Sequence, residues 1–394
     1  MKKQKEWIRV TLKLEGIGLQ GAATAQYDGR QVYVDYGIPG EEVVAEIAAA
    51  KGGRYYVGRV IQVISSSAAR VEPPCPYYGS CTGCQWQHIS YEQQLLLKED
   101  MVRSQLKTFG GLEDPLVKPT LACDPWNYRN HARFTIGPNG QLGFVNRYSR
   151  RFVRIDRCLL MHPWINEALS KLQDKCQETT QLSIRYGVNS GSWLIQPRLQ
   201  SADIPLSSGQ PHYEEELLGH GFRISASSFF QVNTAMAERM TTLMKERLGL
   251  TGTELLVDAY AGVGTFALLL APYAERVIAI EESASALKDA RANLAGTGNV
   301  EIVQGKTENV LSELSRHPDA VILDPPRKGC HPAALDALIA IRPSRISYVS
   351  CEPSALGRDL RRLTDGGYSL VEVQPIDLFP QTNQIECVAT LSLE

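Results

Sequence analysis

No run of apolar residues approaches the ~18 that a membrane-spanning helix needs. The amino-terminal stretch Met1-Lys2-Lys3-Gln4-Lys5-Glu6-Trp7 lacks the apolar core of a signal peptide, so a cytoplasmic protein is expected. No repeat at a fixed period is present, which argues against a repeat array. There is no surplus of one charge: the formal net charge is −2, so the chain as a whole does not advertise a nucleic-acid binder. Nor is it starved of apolar residues, with 43% hydrophobic against 21% charged, and extensive disorder is excluded. What is there is a chain of 394 residues, beyond the usual single-domain range, for which two or three domains are expected. It carries nine cysteines. In a reducing compartment these serve as metal ligands, catalytic thiols or core residues rather than as disulfides.

Hydrophobic periodicity divides the chain. Ile8, Val10, Leu12 and Leu14 alternate with Arg9, Thr11, Lys13 and Glu15, the pattern of a half-buried strand. Short strands over 32–34, 42–47 and 55–63, separated by Asp28-Gly29, Pro39-Gly40 and Gly52-Gly53, predict a small five-stranded barrel of the oligonucleotide-binding kind. Ser65-Ser66-Ser67 reads as a linker. A helix is expected over 90–109, opened by Ser90 with Gln93 as a capping box. Residues 120–235 give a mixed pattern of short apolar segments. From 253 onward the pattern is clear: strands at 255–258, 277–281, 300–303, 320–323 and 346–349 alternate with helices beginning near Thr265, Ser283, Thr307, Pro332 and Pro353. That alternation predicts a doubly wound, mostly parallel sheet, and two final strands, 370–378 and 385–393, include an antiparallel member.

The balanced net charge conceals a local excess. Residues 127–157 contain Arg129, Arg133, Arg147, Arg150, Arg151, Arg154 and Arg157 against one acid, Asp156, with Tyr128, Phe134, Phe144, Tyr148 and Phe152 interleaved. Guanidinium forks match phosphate oxygens and aromatic faces stack on unpaired bases, so the segment suits RNA or single-stranded nucleic acid. A solvated basic face is the bland alternative.

Chemistry gathers at the predicted strand ends. The turn Asp258-Ala259-Tyr260-Ala261-Gly262-Val263-Gly264 brings Gly262 and Gly264 where backbone must approach a ligand, and Glu281 ends the next strand in place for ribose hydroxyls. Adenosine-type cofactors in general fit this turn. Asp324-Pro325-Pro326 after the fourth strand resembles the acidic-Pro-Pro loop of adenosylmethionine-dependent methyltransferases. Amino-directed members follow it with an aromatic residue; here Arg327 follows, which points away from exocyclic amines. Cys351, in Ser350-Cys351-Glu352-Pro353 after the fifth strand, can add to carbon 6 of a pyrimidine and make carbon 5 nucleophilic. Glu386 in Gln384-Ile385-Glu386 can then remove the carbon 5 proton. Alone, Cys351 reads as a core thiol and Glu386 as a surface carboxylate; only the combination favours catalysis. A second constellation is Cys75, Cys81 and Cys84, with Cys158 as a fourth candidate, whose thiolates allow zinc or an iron–sulfur cluster. The first spacing departs from that of radical adenosylmethionine enzymes. Cys123, Cys176, Cys330 and Cys387 read as structural or incidental.

On these residues the chain resembles the RNA uracil-5 methyltransferases that use S-adenosylmethionine. Phe229-Phe230-Gln231-Val232-Asn233 matches the family's Phe-x-Gln-x-Asn segment, and the likeness covers nearly the whole length. The resemblance implies a TRAM (OB-like) β-barrel over 1–65 and a mixed α+β central domain over 70–235, with the basic segment and iron–sulfur cysteines. A Rossmann-like domain follows over 236–394, its mostly parallel sheet having an antiparallel edge. It implies that the helix over 90–120 can pack on the catalytic domain. It assigns Cys351 as nucleophile and Glu386 as base. It assigns Gln231, Tyr260, Gly262, Thr265, Glu281, Glu308 and Asp324 to the cofactor and base site, with Gly264 in the same turn, and Cys75, Cys81, Cys84 and Cys158 to a [4Fe–4S] cluster. Many members have His-Val-Glu at the base motif, where this chain has Gln384-Ile385-Glu386. The expected activity is 5-methyluridine formation in RNA, ribosomal before transfer RNA, on a flipped or unpaired uridine, by a monomer. The rivals are a cytosine-5 methyltransferase and a non-catalytic RNA-binding or redox-sensing protein.

Overall fold

The computed structural model describes residues 6–201 and 203–393; Met1–Lys5, read above for a signal peptide, lie outside them. No helix among the described residues is long and apolar enough to cross a membrane. The chain divides into two compact units, residues 1–101 with 379–384, and residues 102–378 with 385–394.

The first unit is built on β1 (Ile8–Lys13), β2 (Gly16–Ile17), β3 (Ala23–Tyr27), β4 (Arg30–Asp35), β5 (Glu42–Ala49) and β6 (Tyr56–Ser65). The sheet order is β1-β5-β6-β4-β3-β2, so the expected five strands are six. The extra strand, β2, is two residues long and too short to show a period. All pairings are antiparallel except β4 with β6. Alternate residues Leu12, Ala23, Ala25, Val32, Val34, Val43, Ala45 and Ile47 bury together, so the sheet curls around its own apolar face. Helix α1 (Tyr91–Gly110) starts where expected, with the Gln93 amide donating to Ser90 Oγ at 3.4 Å. The amide of Ser90 instead donates to the Ala69 carbonyl at 2.8 Å, which takes the donor that a reciprocal capping box would use.

The second unit opens with the residues of α1 from Val102 on. It then contains β7 (His131–Ile136), β8 (Leu142–Val145), β9 (Phe152–Arg154), α2 (Pro163–Leu172), β10 (Gln181–Tyr186) and β11 (Trp193–Gln196). These strands form an antiparallel sheet ordered β11-β10-β7-β8-β9. The hairpin β12 (His212–Leu217) and β13 (His220–Ser225) leads into α3 (Thr234–Leu248). Then follow β14 (Leu255–Asp258), α4 (Thr265–Leu270), β15 (Arg276–Glu281), α5 (Ala284–Asn293), β16 (Val300–Gln304), α6 (Thr307–Ser312) and β17 (Ala320–Leu323). The last elements are α7 (Pro332–Ile341), β18 (Arg345–Ser350), α8 (Pro353–Asp365), β19 (Tyr368–Ile376) and β20 (Glu386–Leu393). Their sheet runs β16-β15-β14-β17-β18-β20-β19. The five strands β14 to β18 are parallel; β14, β15, β17 and β18 are largely buried, as strands covered on both faces are, whereas the edge strand β16 has only half-buried and exposed residues. One expectation is corrected here: the antiparallel strand is not the edge. β20 pairs antiparallel with both β18 and β19, leaving β19 outermost.

Candidate active site

Strand order reverses between β14 and β17, the switch point at which parallel strands open a crevice beyond their carboxyl ends. The first loop leaves β14 at Asp258 and turns through Tyr260, Gly262 and Gly264 into α4, whose first residue is Thr265. Gly262 has φ +56° and Gly264 φ +86°, backbone that side chains other than glycine rarely adopt. A Cβ on Gly264 would stand 3.1 Å from Leu294 Cδ1, whereas one on Gly262 would meet nothing within 4 Å. Packing as well as backbone therefore requires the second glycine, and the first leaves open space over the turn. Glu281, the last residue of β15, reaches back to this turn. Its Oε2 accepts from the Gly262 amide at 2.8 Å and its Oε1 from the Ser283 amide at 2.6 Å. Glu308 stands in the first turn of α6, beside half-buried Tyr260, whose phenol is raised by burial and by neighbouring Cys330. A carboxylate for ribose hydroxyls beside an open glycine turn fits an adenosine-type cofactor.

Two carboxyls meet at the switch point. Asp258 is fully buried; its Oδ2 accepts from the Ala267 amide at 3.0 Å, and its Oδ1 has no hydrogen-bond partner among the described residues. Burial and the adjacent Asp324 push it up to about 7. Asp324, directly after β17, is also pushed up to about 7 by burial. Sequence reasoning placed Asp258 in the cofactor turn without seeing that its carboxyl faces Asp324, because strand order was needed to bring them together.

The thiol lies next in the sheet. β18 ends at Ser350 and half-buried Cys351 follows it, with α8 beginning at Pro353. In the antiparallel pairing Ser350 is the partner of Cys387, so Cys351 adjoins Glu386, the 5%-exposed first residue of β20. Burial pushes the Cys351 thiol up to about 11; Glu386 adds to the rise, Arg327 opposes it and Asp324 adds again. Glu386 is raised well above the ordinary carboxyl range by burial, then by Asp324, with Arg327 opposing. Cys351, Glu386, Asp324 and Arg327 thus share one electrostatic neighbourhood, in which the basic residue is the one that follows the Asp324-Pro325-Pro326 loop.

Gln231 is buried on the segment between β13 and α3. Asn130 Nδ2 donates to the Gln231 carbonyl at 3.1 Å and the Asn130 amide to the Val232 carbonyl at 2.9 Å. Asn233 caps α3, accepting from the Met236 amide at 3.3 Å. Upstream, buried Asp289 of α5 accepts from the amide and hydroxyl of Ser225 at 2.8 and 2.6 Å and from the Ser228 hydroxyl at 2.6 Å. Asn293 of the same helix donates to the Val263 carbonyl at 2.9 Å and to the Arg223 carbonyl at 3.1 Å. These α5 contacts tie the Gln231 segment to the glycine turn. Nothing in the local sequence pattern signals them.

Cys75, Cys81 and Cys84 are half-buried on the chain before α1, in no disulfide among the described residues, while Cys158 is half-buried in the second unit. Among the described residues, no group of three or more His, Cys, Asp or Glu side chains is arranged to hold a metal ion. Cys176 and Cys387 are buried, and so is Cys330, whose thiol burial pushes up to about 12 while hydrogen bonds with Tyr348 and Tyr260 oppose the rise.

Residues 218–393 match the family model described as tRNA (Uracil-5-)-methyltransferase. An uncharacterized RNA methyltransferase of Halalkalibacterium halodurans is 33% identical, over 98% of this chain and 97% of its own. Another, of Gloeobacter violaceus, is 34% identical over 97% and 96%. Among solved structures, the Pyrococcus abyssi tRNA (uracil-54, C5)-methyltransferase in complex with S-adenosyl-L-homocysteine has a TM-score of 0.73 at 24% identity, covering 97% of this chain and 99% of that one. That likeness establishes a shared fold over nearly the whole of both chains.

Proposed function

The chain belongs to the RNA (uracil-5-)-methyltransferase family, and on that premise we propose that it methylates carbon 5 of a uridine in RNA through a covalent Cys351 adduct. The observation that carries the reading is the β18–β20 register, which sets a half-buried thiol beside a buried carboxyl at the same carboxyl-end edge of the parallel strands as the glycine turn. S-adenosylmethionine, when bound, supplies the methyl group as an electrophile. The open turn at Gly262 would admit the adenosine, Glu281 would hold its ribose, Tyr260, Thr265 and Glu308 would complete the pocket, and Gln231 would lie between the cofactor and the target base. Cys351 gives up its proton to solvent and its sulfur bonds to carbon 6 of the uracil, which makes carbon 5 the nucleophile. Arg327 lowers the cost of the thiolate. Once carbon 5 carries the methyl group, Glu386 as carboxylate takes the carbon 5 proton, the carbon 6–sulfur bond breaks and the thiolate returns. Reaching both faces of the ring requires an unpaired or flipped uridine.

Two finer assignments rest on sequence resemblance. The six-stranded curled sheet of the first unit is taken as a TRAM-like RNA-binding module. The thiols of Cys75, Cys81 and Cys84, close together in the chain, are taken as ligands of a [4Fe–4S] cluster, with Cys158 assigned by sequence alone; no catalytic step passes through it. Iron and acid-labile sulfide in protein purified without oxygen would support the cluster, and stoichiometric zinc would replace it.

The test of the reaction is nucleoside mass spectrometry on undermodified ribosomal and transfer RNA incubated with the protein and methyl-labelled S-adenosylmethionine. Labelled 5-methyluridine in one fraction supports the reading and names the substrate. Labelled 5-methylcytidine, or no labelled nucleoside from protein that binds the donor, overturns it.

A further inference from the structure

The seven arginines between 127 and 157 do not form one surface. Arg129 donates through Nε to the His131 carbonyl at 2.9 Å, Arg133 donates to Gln181 Oε1, and Arg154 is held by Asp156 at 3.0 Å and Asp174 at 2.6 Å. These three guanidiniums serve the fold. Arg147, Arg150 and Arg151 are exposed and crowd onto the turn that joins β8 to β9, residues 146–151, which contains no acid.

That turn is firmly built. Buried Asn146 accepts through Oδ1 from the amides of Tyr148 and Ser149 at 2.9 and 2.8 Å, and exchanges backbone hydrogen bonds with Arg150 and Arg151. Arg150 has φ +60°, where glycine or asparagine would sit without strain. The Arg147 guanidinium lies 4.6 Å from the centroid of the Tyr148 ring, which is itself 56% exposed. The tip therefore holds a flat stacked face and a concentrated positive charge in one orientation.

Its place in the sheet gives this meaning. β8 runs back along β7, with Gly143 opposite Thr135, so the chain leaving β8 at Val145 returns to the end at which β7 begins. At that end Asn130 holds the main chain of Gln231. Strand spacing and residue rise put the tip roughly 10–15 Å from Gln231, a few nucleotides along an extended strand.

We propose that the β8–β9 turn is an RNA contact, in which Arg150 and Arg151 hold backbone phosphates and the Arg147–Tyr148 stack receives an unpaired base flanking the target. The placement rests on the proposed function only in taking Gln231 as a target-side residue. The test is anisotropy of fluorescein-labelled oligouridylate titrated with the full-length protein over a range of NaCl concentrations. Arg150→Gln with Arg151→Gln should weaken binding about tenfold and flatten the salt dependence by about 1.4, at about 0.7 per phosphate lost. Tyr148→Ala should weaken the single strand and leave an RNA duplex probe unchanged, and Arg154→Gln should leave both unchanged. Unaltered affinity and salt slope in the double variant, with S-adenosylhomocysteine binding intact, would overturn the proposal while leaving uridine methylation standing. Wild-type protein that shows this salt slope, loses it in the double variant and yet forms no 5-methyluridine would support the contact and fail the reaction.

Discussion

Ser350 and Cys387 face each other across the antiparallel β18–β20 ladder, and that pairing makes neighbours of Cys351 and Glu386. The carboxylate adds to the rise of the thiol, and burial suppresses the ionisation of both groups. The pairing has consequences that can be measured.

Cys351→Ala should reduce 5-methyluridine formation by at least ~10³-fold, because nothing replaces the bond to carbon 6. The neighbouring thiols of Cys330 and Cys387 are buried and cannot substitute. Calorimetry should find S-adenosylhomocysteine binding unchanged, since the glycine turn is untouched.

Glu386→Gln should still allow the thiol to attach and the methyl group to transfer, but not the loss of the carbon 5 proton. Turnover should fall by roughly 10²–10⁴-fold, and a methylated protein–RNA adduct should appear as a slow band on a denaturing gel. Slow turnover without any adduct would move the base to another residue.

Arg327 opposes the rise of the Cys351 thiol, so Arg327→Gln should push it above its present value of about 11. The rate of Cys351 alkylation by iodoacetamide increases as pH approaches the thiol pKa from below. In the variant that increase should lie at higher pH. Peptide mass mapping isolates Cys351 from the other thiols, and an unchanged profile would remove Arg327 from its surroundings.

Asp258 has an ordinary value of 3.8 and is pushed up to about 7 in the folded protein. The folded state therefore holds a proton that the unfolded chain releases, so this contribution is fully present below pH 3.8 and is lost as pH rises through 7, a term on the order of 4 kcal/mol. The cofactor-free protein should melt at lower temperature at pH 8.5 than at pH 5. Asp258→Asn cannot ionise and should narrow that difference.

Asp289→Ala removes the acceptor of three hydrogen bonds from Ser225 and Ser228. Stranding these donors in a buried place should cost roughly 3 kcal/mol in urea unfolding. Asp289→Asn keeps an acceptor and should lose less.

Residues whose environment repeats along the chain were legible before folding was considered. The alternation from Ile8 to Leu14 marks β1, and α4 to α8 begin at or next to the residues that their caps and prolines indicated. Cys351 and Glu386 could be picked out through motif rather than periodicity, since a core thiol and a strand carboxylate look the same in a pattern. The sheet of β7 to β11 escaped because its strands are three to six residues long, too short for a period to emerge. The insertion of β20 escaped because both neighbours of a strand cannot be read from its own sequence. Asp258 facing Asp324, and Asp289 reaching Ser225 across 64 positions, are products of strand order and helix placement.

The inserted position of β20 also fixes when the enzyme can become competent. β18 and β19 are both synthesised before the strand that lies between them, so a nascent chain can hold Cys351 on a five-strand parallel platform while Glu386 is still unmade. Until β20 enters that gap, the thiol stands without Glu386, and β19 lacks the ladder that joins it to the sheet. Closing the sheet and bringing Glu386 beside Cys351 are therefore one event.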